Sequence, residues 1–301
     1  MNKVEALPGT DFCFEHLEGA LPALMVRHPA FTASLLLQGG QLIRFSPRGR
    51  SNWLWLSDQE RFIAGKAVRG GIPICWPWFG APSRNPEAVQ RQVKVDKAHG
   101  FARLADWSLE TVEETPDRVR ITLMLDCTAA DGEAENWTGR ACVRVHFGLS
   151  ADALEVTLET SNTGAEHVWI TQALHSYFPT PDVHRTTIRG LDGQPYVDAL
   201  RDWRTFEQIG PVTFSAETDR IYQVTGPLQL TTPDTQLQLE PQGSRSAVVW
   251  NPWAEKSKTL SHFSPSAWER MFCVETANVL EDAVCLAPGA THRMGLILTE
   301  S

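Results

Sequence analysis

Nowhere in the 301 residues is there an unbroken apolar run of the roughly 20 residues that a membrane-spanning helix needs. No helical membrane anchor is expected. No secretory leader is expected either, because Glu5 and Asp11 interrupt Met1 to Phe14 where a signal peptide needs continuous apolar character. Positive charge is scarce: 27 Lys and Arg stand against 36 Asp and Glu, for a formal net charge of -9. Nucleic acids and anionic membrane surfaces are held by excess cations, so neither is an expected partner. An anionic ligand must instead meet a local basic pocket. The six cysteines, at 13, 75, 127, 142, 273 and 285, contain no Cys-x-x-Cys pair and no metal-ligand spacing. Reduced thiols, a cytoplasmic location and no metal site are the expectation, and without a Gly-rich dinucleotide or phosphate loop no cofactor is expected either.

Long helical periodicity is also missing, and only Pro265 to Arg270 has room for a helical turn. What the chain has instead is short runs of alternating polarity. In Ala153 to Thr160, Leu154, Val156 and Leu158 point to one face while Glu155, Thr157 and Glu159 point to the other, as in a half-buried strand. Arg118 to Leu125, Arg140 to Gly148 and His292 to Thr299 repeat the pattern. Breakers such as Gly39-Gly40, Asp131-Gly132, Asp192-Gly193 and Gly226-Pro227 separate the runs closely. With 42% hydrophobic and 21% charged residues there is material for a sizeable core. The pattern predicts an all-β fold, a large antiparallel sandwich. No Pro/Ser-rich linker or charge block divides it, so one domain over residues 1–301 is expected, and a monomer in the absence of an apolar seam.

One stretch departs from this pattern. Arg69 to Arg103 is rich in Gly and Pro among Trp76, Trp78 and Phe79, which predicts a rigid loop lining a cleft. Eleven tryptophans against three tyrosines suit the flat C–H faces of sugar rings, although any fold uses Trp in its core. The pairs Trp76/Trp78 and Trp250/Trp253 lie beside polar, turn-rich segments and are the ligand candidates. Arg84, Arg91, Lys94 and Lys97, also in the loop region, read as solvated. His99, at a loop end, and His175, at the end of the apolar run Val168 to Leu174, are placed where an imidazole faces a cleft and transfers protons, though each has an equally simple structural role. Glu275 follows Met271 to Val274, where a carboxylate is costly unless it is paired, at work, or turned to solvent at a strand end.

Taken together, Arg69 to Gly80 (RGGIPICWPWFG), His99 to Arg103 (HGFAR), Leu174 to Phe178, Thr218 to Tyr222, Val249 to Trp253 and Cys273 to Asn278 resemble the aldose 1-epimerase superfamily, and within it the hexose-6-phosphate mutarotases. The likeness covers nearly the whole chain. It implies a galactose mutarotase-like β-supersandwich of antiparallel strands with few short helices, and a cofactor-free epimerase acting on an aldohexose 6-phosphate such as glucose 6-phosphate. It also implies roles: His175 as general acid on the ring oxygen, Glu275 as general base on the anomeric hydroxyl, His99 and Asp219 as sugar ligands, and Arg69 and Arg103 as phosphate ligands. Trp78 and Trp250 join the substrate-binding set as sugar platforms. The arginines have an alternative use as partners of Glu60 or Asp106. The reaction asks for a protonated His175 facing an ionised Glu275, a state that opposite charges in proximity favour. Two other readings stay open: an epimerase of unphosphorylated hexoses, or a sugar-binding module without turnover.

Overall fold

The structure, a computed structural model, describes residues 7–18, 21–127, 135–224 and 226–300. The first residues of the N-terminal segment and the Asp131-Gly132 turn therefore lie outside the described residues. The alternating runs become strands with the expected faces. Ala153–Asn162 buries Leu154, Val156 and Leu158 and leaves Glu155, Thr157 and Glu159 half-buried. It pairs antiparallel with Ala141–Ser150 on one side, with Val145 opposite Leu158, and with Thr291–Glu300 on the other, with Leu296 opposite Val156. Cross-strand apolar pairs of this kind are the unit of sheet stability. They belong to a nine-stranded antiparallel sheet that runs from Val212–Thr213 at one edge to Ser108–Thr115 at the other.

The second large sheet has eight strands. Its centre runs Pro195–Asp198, Thr218–Gln223, Ser246–Asn251, Met271–Asn278, Gln172–Leu174 and Ile74–Cys75 in spatial order. Ser246–Asn251 and Met271–Asn278 are buried along their whole length, so both of their faces are covered. Val249, Phe272 and Val274 point into the main core, which they share with Val145, Leu158 and Leu296 of the nine-stranded sheet and with Leu24 and Phe45 of a four-stranded sheet built from residues 11–47. The opposite face carries Ile221, Val248, Trp250 and Glu275. Strand alternation alone sends Val274 to the core and Glu275 to that other face.

Among the described residues, α-helix is confined to Glu87–Gln90 and Trp253–Ser257, neither of which the sequence reading anticipated. Both are too short to leave a helical period. The second is started by Asn251, whose side-chain oxygen accepts from the Trp253 N–H at 2.9 Å. A 3₁₀ turn at Ala267–Arg270 falls within the predicted helical turn. No described helix is long and apolar enough to cross a membrane. Among the described residues the cysteines form no disulfide.

Candidate active site

Two glycine-dependent crossings hold the Arg69 to Arg103 segment in place. Gly71, at φ 63°, donates its N–H to Trp55 O at 2.7 Å, and Gly100, at φ 62°, lies so close to the Trp76 carbonyl that a Cβ would collide with it. The backbone of this segment then positions the histidines. His175 N–H donates to Pro73 O at 2.9 Å, Tyr177 N–H to Gly71 O at 2.9 Å, and His99 N–H to Gly80 O at 3.0 Å. His99 sits in the left-handed region at φ 66°. These bonds tie both ends of the segment to their surroundings, and it lines a cleft of about 660 Å³ over the eight-stranded sheet. That volume is in the range of small-molecule sites.

Register places the floor of the cleft. Ile221 lies opposite Val248, and Val248 opposite Glu275, while Asp219 lies opposite Trp250 in the neighbouring row. His175 Nε2 is 3.4 Å from Glu275 Oε1, and the imidazole stacks on the Tyr177 ring at 4.8 Å with 8° between planes. His99 meets His175 edge-on at 5.9 Å. Its Nδ1 accepts the Gly80 N–H at 3.3 Å, so the proton of a neutral ring is on Nε2. Glu275 is not a strand-end residue turned to solvent. Its side chain is 1% exposed.

Burial works against the charged form of both partners. Desolvation first, and then the Arg103 and Arg69 charges, push His175 down to about 3. Desolvation, helped by Asp219, holds Glu275 well above the usual carboxylate range, with Arg103 opposing only in part. Both shifts favour the uncharged forms, a neutral imidazole facing a protonated carboxyl. Attraction between opposite charges does not compensate for removing both from water. His99 is likewise pushed down by burial and by the neighbouring cations. Burial raises Asp219 to about 6, with the Lys256 charge opposing. His175 Nδ1 and Glu275 Oε2 are buried without a hydrogen-bond partner in the protein. Other buried atoms without partners, such as Trp137 Nε1 and Thr160 Oγ1, lie elsewhere, but these two sit on groups suited to proton transfer and beside each other in the cleft.

Arg69 and Arg103 line the same cleft, and neither forms an ion pair among the described residues. The alternative pairing with Glu60 takes an unexpected form: its carboxylate accepts the backbone N–H of Arg69 at 2.7 Å, while the Arg69 guanidinium lies beside the Tyr177 hydroxyl. Arg103 donates through one terminal nitrogen to Ala98 O at 3.0 Å, and its Nε is buried without a partner. Two cationic forks thus face a cleft at a protein whose net charge is negative.

The tryptophans need correction. Trp78 is 1% exposed and belongs to the core, with its Nε1–H donating to Lys97 O at 2.7 Å, and so it is not a sugar platform. Trp76 is fully buried, edge-on to Trp137 at 4.9 Å, and Trp253 packs on Trp268 at 4.3 Å. On a strongly twisted, doubly covered sheet, local polarity of sequence does not report which side chain is inside. Trp250 alone of the four lines the cleft. Missed altogether was Trp203, which lines the cleft with Asp202 and itself both left-handed, at φ 56° and 58°. Neither residue is glycine, so no sequence signal marks the turn. Arg84, read as solvated, is exposed but holds its guanidinium 5.0 Å above the Trp203 ring at the cleft mouth.

Comparison with known proteins agrees with this geometry. Residues 22–299 match the sequence profile of the aldose 1-epimerase family. A protein of Escherichia coli K12, provisionally named glucose-6-phosphate 1-epimerase, is 32% identical over 87% of this chain and 84% of its own length. One from Cenchrus ciliaris, with the same provisional name, is 30% identical over 89% and 80%. The crystal structure of a provisionally assigned mutarotase from Salmonella typhimurium superposes with a TM-score of 0.86 at 26% identity, covering 99% of this chain and 96% of that one. A profile match along almost the whole chain, with a shared fold, makes this protein an isomerase of the aldose 1-epimerase family.

Proposed function

We propose that the protein interconverts the α and β anomers of an aldohexose 6-phosphate, glucose 6-phosphate first among them, by acid and base chemistry. The observation that carries this reading is the buried His175–Glu275 contact in a cleft that also holds two arginines free of carboxylate partners. A planar guanidinium matches a phosphate in two-point fashion, which neutral sugars do not require. The provisional names of the E. coli and C. ciliaris relatives support the same substrate class. The lack of a disulfide among the described residues supports a cytoplasmic setting.

The resting pair holds one shared proton, and one is what the reaction needs. Passing it across the 3.4 Å contact leaves a carboxylate on Glu275 and an imidazolium on His175. Glu275 then takes the proton from the anomeric O1 while His175 gives its proton to the ring oxygen O5. The C1–O5 bond breaks and C1=O1 forms, giving the open aldehyde with a free C5 hydroxyl. Both side chains end uncharged, which is the state that burial favours. The charged form is therefore the reactive one, and transfer to substrate relieves its desolvation cost. Rotation about C1–C2 presents the other carbonyl face, and reclosure runs the same transfers in reverse. His99, through Nε2–H, and Asp219 are the groups that hold sugar hydroxyls, and Trp250 supplies a ring face.

Saturation-transfer NMR between anomers tests the reading. Catalytic amounts of protein are expected to accelerate exchange of glucose 6-phosphate well above that of glucose or galactose. Equal acceleration of the plain sugars would remove the phosphate from the proposal, and binding without acceleration would make the protein a sugar-binding module.

A further inference from the structure

Lys66 and His262 share the cleft lining with Arg69, and both belong to loops that the mechanism above does not use. Two loops meet there through a buried carboxylate. Glu60, with a side chain 2% exposed, accepts the backbone N–H groups of Arg61 at 2.9 Å, Phe62 at 3.1 Å and Arg69 at 2.7 Å, and its Oε1 lies 3.1 Å from His262 Nδ1. The hydroxyl of Ser57 donates to His262 O at 2.7 Å, and the Ser57 N–H to Arg69 O at 3.0 Å. His262 is thus fixed by both its carbonyl and its ring, in the left-handed region at φ 54°. A β-carbon residue held there costs on the order of 1 kcal/mol or more, which surrounding bonds must offset.

A fixed imidazole has one remaining polar edge. Nδ1 is committed to the carboxylate, which accepts and cannot donate when ionised, so Nδ1 carries a proton and Nε2 is left for the cleft. Nε2 has no hydrogen-bond partner among the described residues. The same carboxylate also sets the backbone from which Arg69 extends. One carboxylate thus bonds both the ring of His262 and the backbone of Arg69, two residues that line the same cleft. The chemistry suited to Lys66, Arg69 and an imidazole buttressed by a carboxylate is a phosphomonoester. Uptake of a second proton, at Nε2, makes the ring an imidazolium that donates to a phosphate oxygen on one side and is balanced by Glu60 on the other.

We propose that His262, positioned by Glu60, is a phosphate-recognition residue beside Arg69, and that the pair selects sugar phosphates over neutral sugars. This rests on the hexose 6-phosphate reading and extends it to residues outside the family motifs. In the exchange assay, His262→Gln is expected to raise KM for glucose 6-phosphate about tenfold, the loss of one charge-assisted hydrogen bond. Its kcat should hold, and kcat/KM for glucose should stay within about twofold, since only phosphate binding is affected. Glu60→Gln should act in the same direction with a loss of stability besides, because its one amide oxygen can keep the contacts with Arg61, Phe62 and His262 while its NH2 cannot accept the Arg69 N–H. Equal losses on both sugars, or no change on either, overturn the proposal. A second measurement is independent of turnover: inorganic phosphate titrated into protein with ¹⁵N-labelled histidine should shift the His262 ring saturably, and weaken in Arg69→Ala. An unmoved His262 ring overturns the inference even if glucose 6-phosphate is the substrate. A saturable shift in a protein that treats glucose and glucose 6-phosphate alike would keep the anion site and discard the substrate reading.

Discussion

Glu275 shows how much one side chain is constrained by where the strand puts it. The carboxyl is buried, raised by desolvation and by Asp219, and set 3.4 Å from a lowered imidazole. Removing its proton-transfer capacity without changing its shape should cut turnover by at least about a hundredfold, the lower end of what a positioned base contributes. Exchange rates of Glu275→Gln and His175→Asn read this, and an active Glu275→Gln enzyme would defeat the assignment. The same substitution should stabilise the fold in a pH-dependent way. Because the folded carboxyl keeps its proton above the ordinary value of 4.5, the wild-type protein loses stability as pH rises from there toward the folded pKa. The unfolded chain ionises in that window and the folded one does not. Glutamine does not titrate, so the stability gap in favour of Glu275→Gln should widen by about 1.4 kcal/mol per pH unit across the window. His175 is lowered in both proteins, loses stability as pH falls, and cancels in the difference. Melting curves at stepwise pH above 5 check the slope, and a gap that stays flat would mean that Glu275 is ionised in the folded protein.

At the level of elements, alternation explains both what was readable and what was not. The strand Ala153–Asn162 lies half-buried, so its polarity pattern showed its faces directly. Met271–Asn278 and Ser246–Asn251 are covered on both sides and read as plain apolar runs. Nothing in such a run says that Glu275 and Val248 look into a cleft while Val274 and Val249 look into the core; the cross-strand register says it. His99, His175, Glu275, Arg69 and Arg103 were legible because they sit in long motifs with recognisable spacing. Trp203, Arg84, Lys66 and His262 were not, since they reach the cleft from turns and loops whose left-handed backbone or side-chain anchors leave no sequence mark. The tryptophans test this distinction. Trp78→Phe removes a buried indole bond to Lys97 O and should lower stability by about 1–3 kcal/mol while KM holds. Trp250→Ala should do the converse in part: it lines the cleft, so on the proposed function KM should rise for phosphorylated and plain hexose alike, as expected of a ring that touches the sugar and not the phosphate. Steady-state kinetics beside thermal melts separate the two, and a KM effect at Trp78 would return that residue to the cleft.

Across the whole molecule, a shared core joins segments that are far apart in sequence. Leu24 and Phe45 from the N-terminal sheet, Val145 and Leu158 from the middle of the chain, Phe272 and Val274 beneath the cleft, and Leu296 near the end pack in one cluster. The strand Thr291–Glu300 is interior to the nine-stranded sheet, paired on both edges with Gln236–Gln242 and Ala153–Asn162. Removing any one of these segments exposes the faces of the others. We propose on this basis that residues 1–301 act as one domain, and as a monomer whose cleft is built from a single copy. Unfolding in urea should then be one transition. Tryptophan fluorescence, which reports Trp53 and Trp76 in the core together with Trp203 and Trp250 at the cleft, should coincide with far-ultraviolet circular dichroism. Light scattering should give the mass of one chain at the concentrations used for kinetics. If fluorescence moves at lower urea than circular dichroism, the cleft loops unfold as a separate unit, and the one-domain proposal fails. The single cluster predicts coincidence, because losing the loop that carries Trp76 and Phe101 opens the same core that holds the strands of the nine-stranded sheet together.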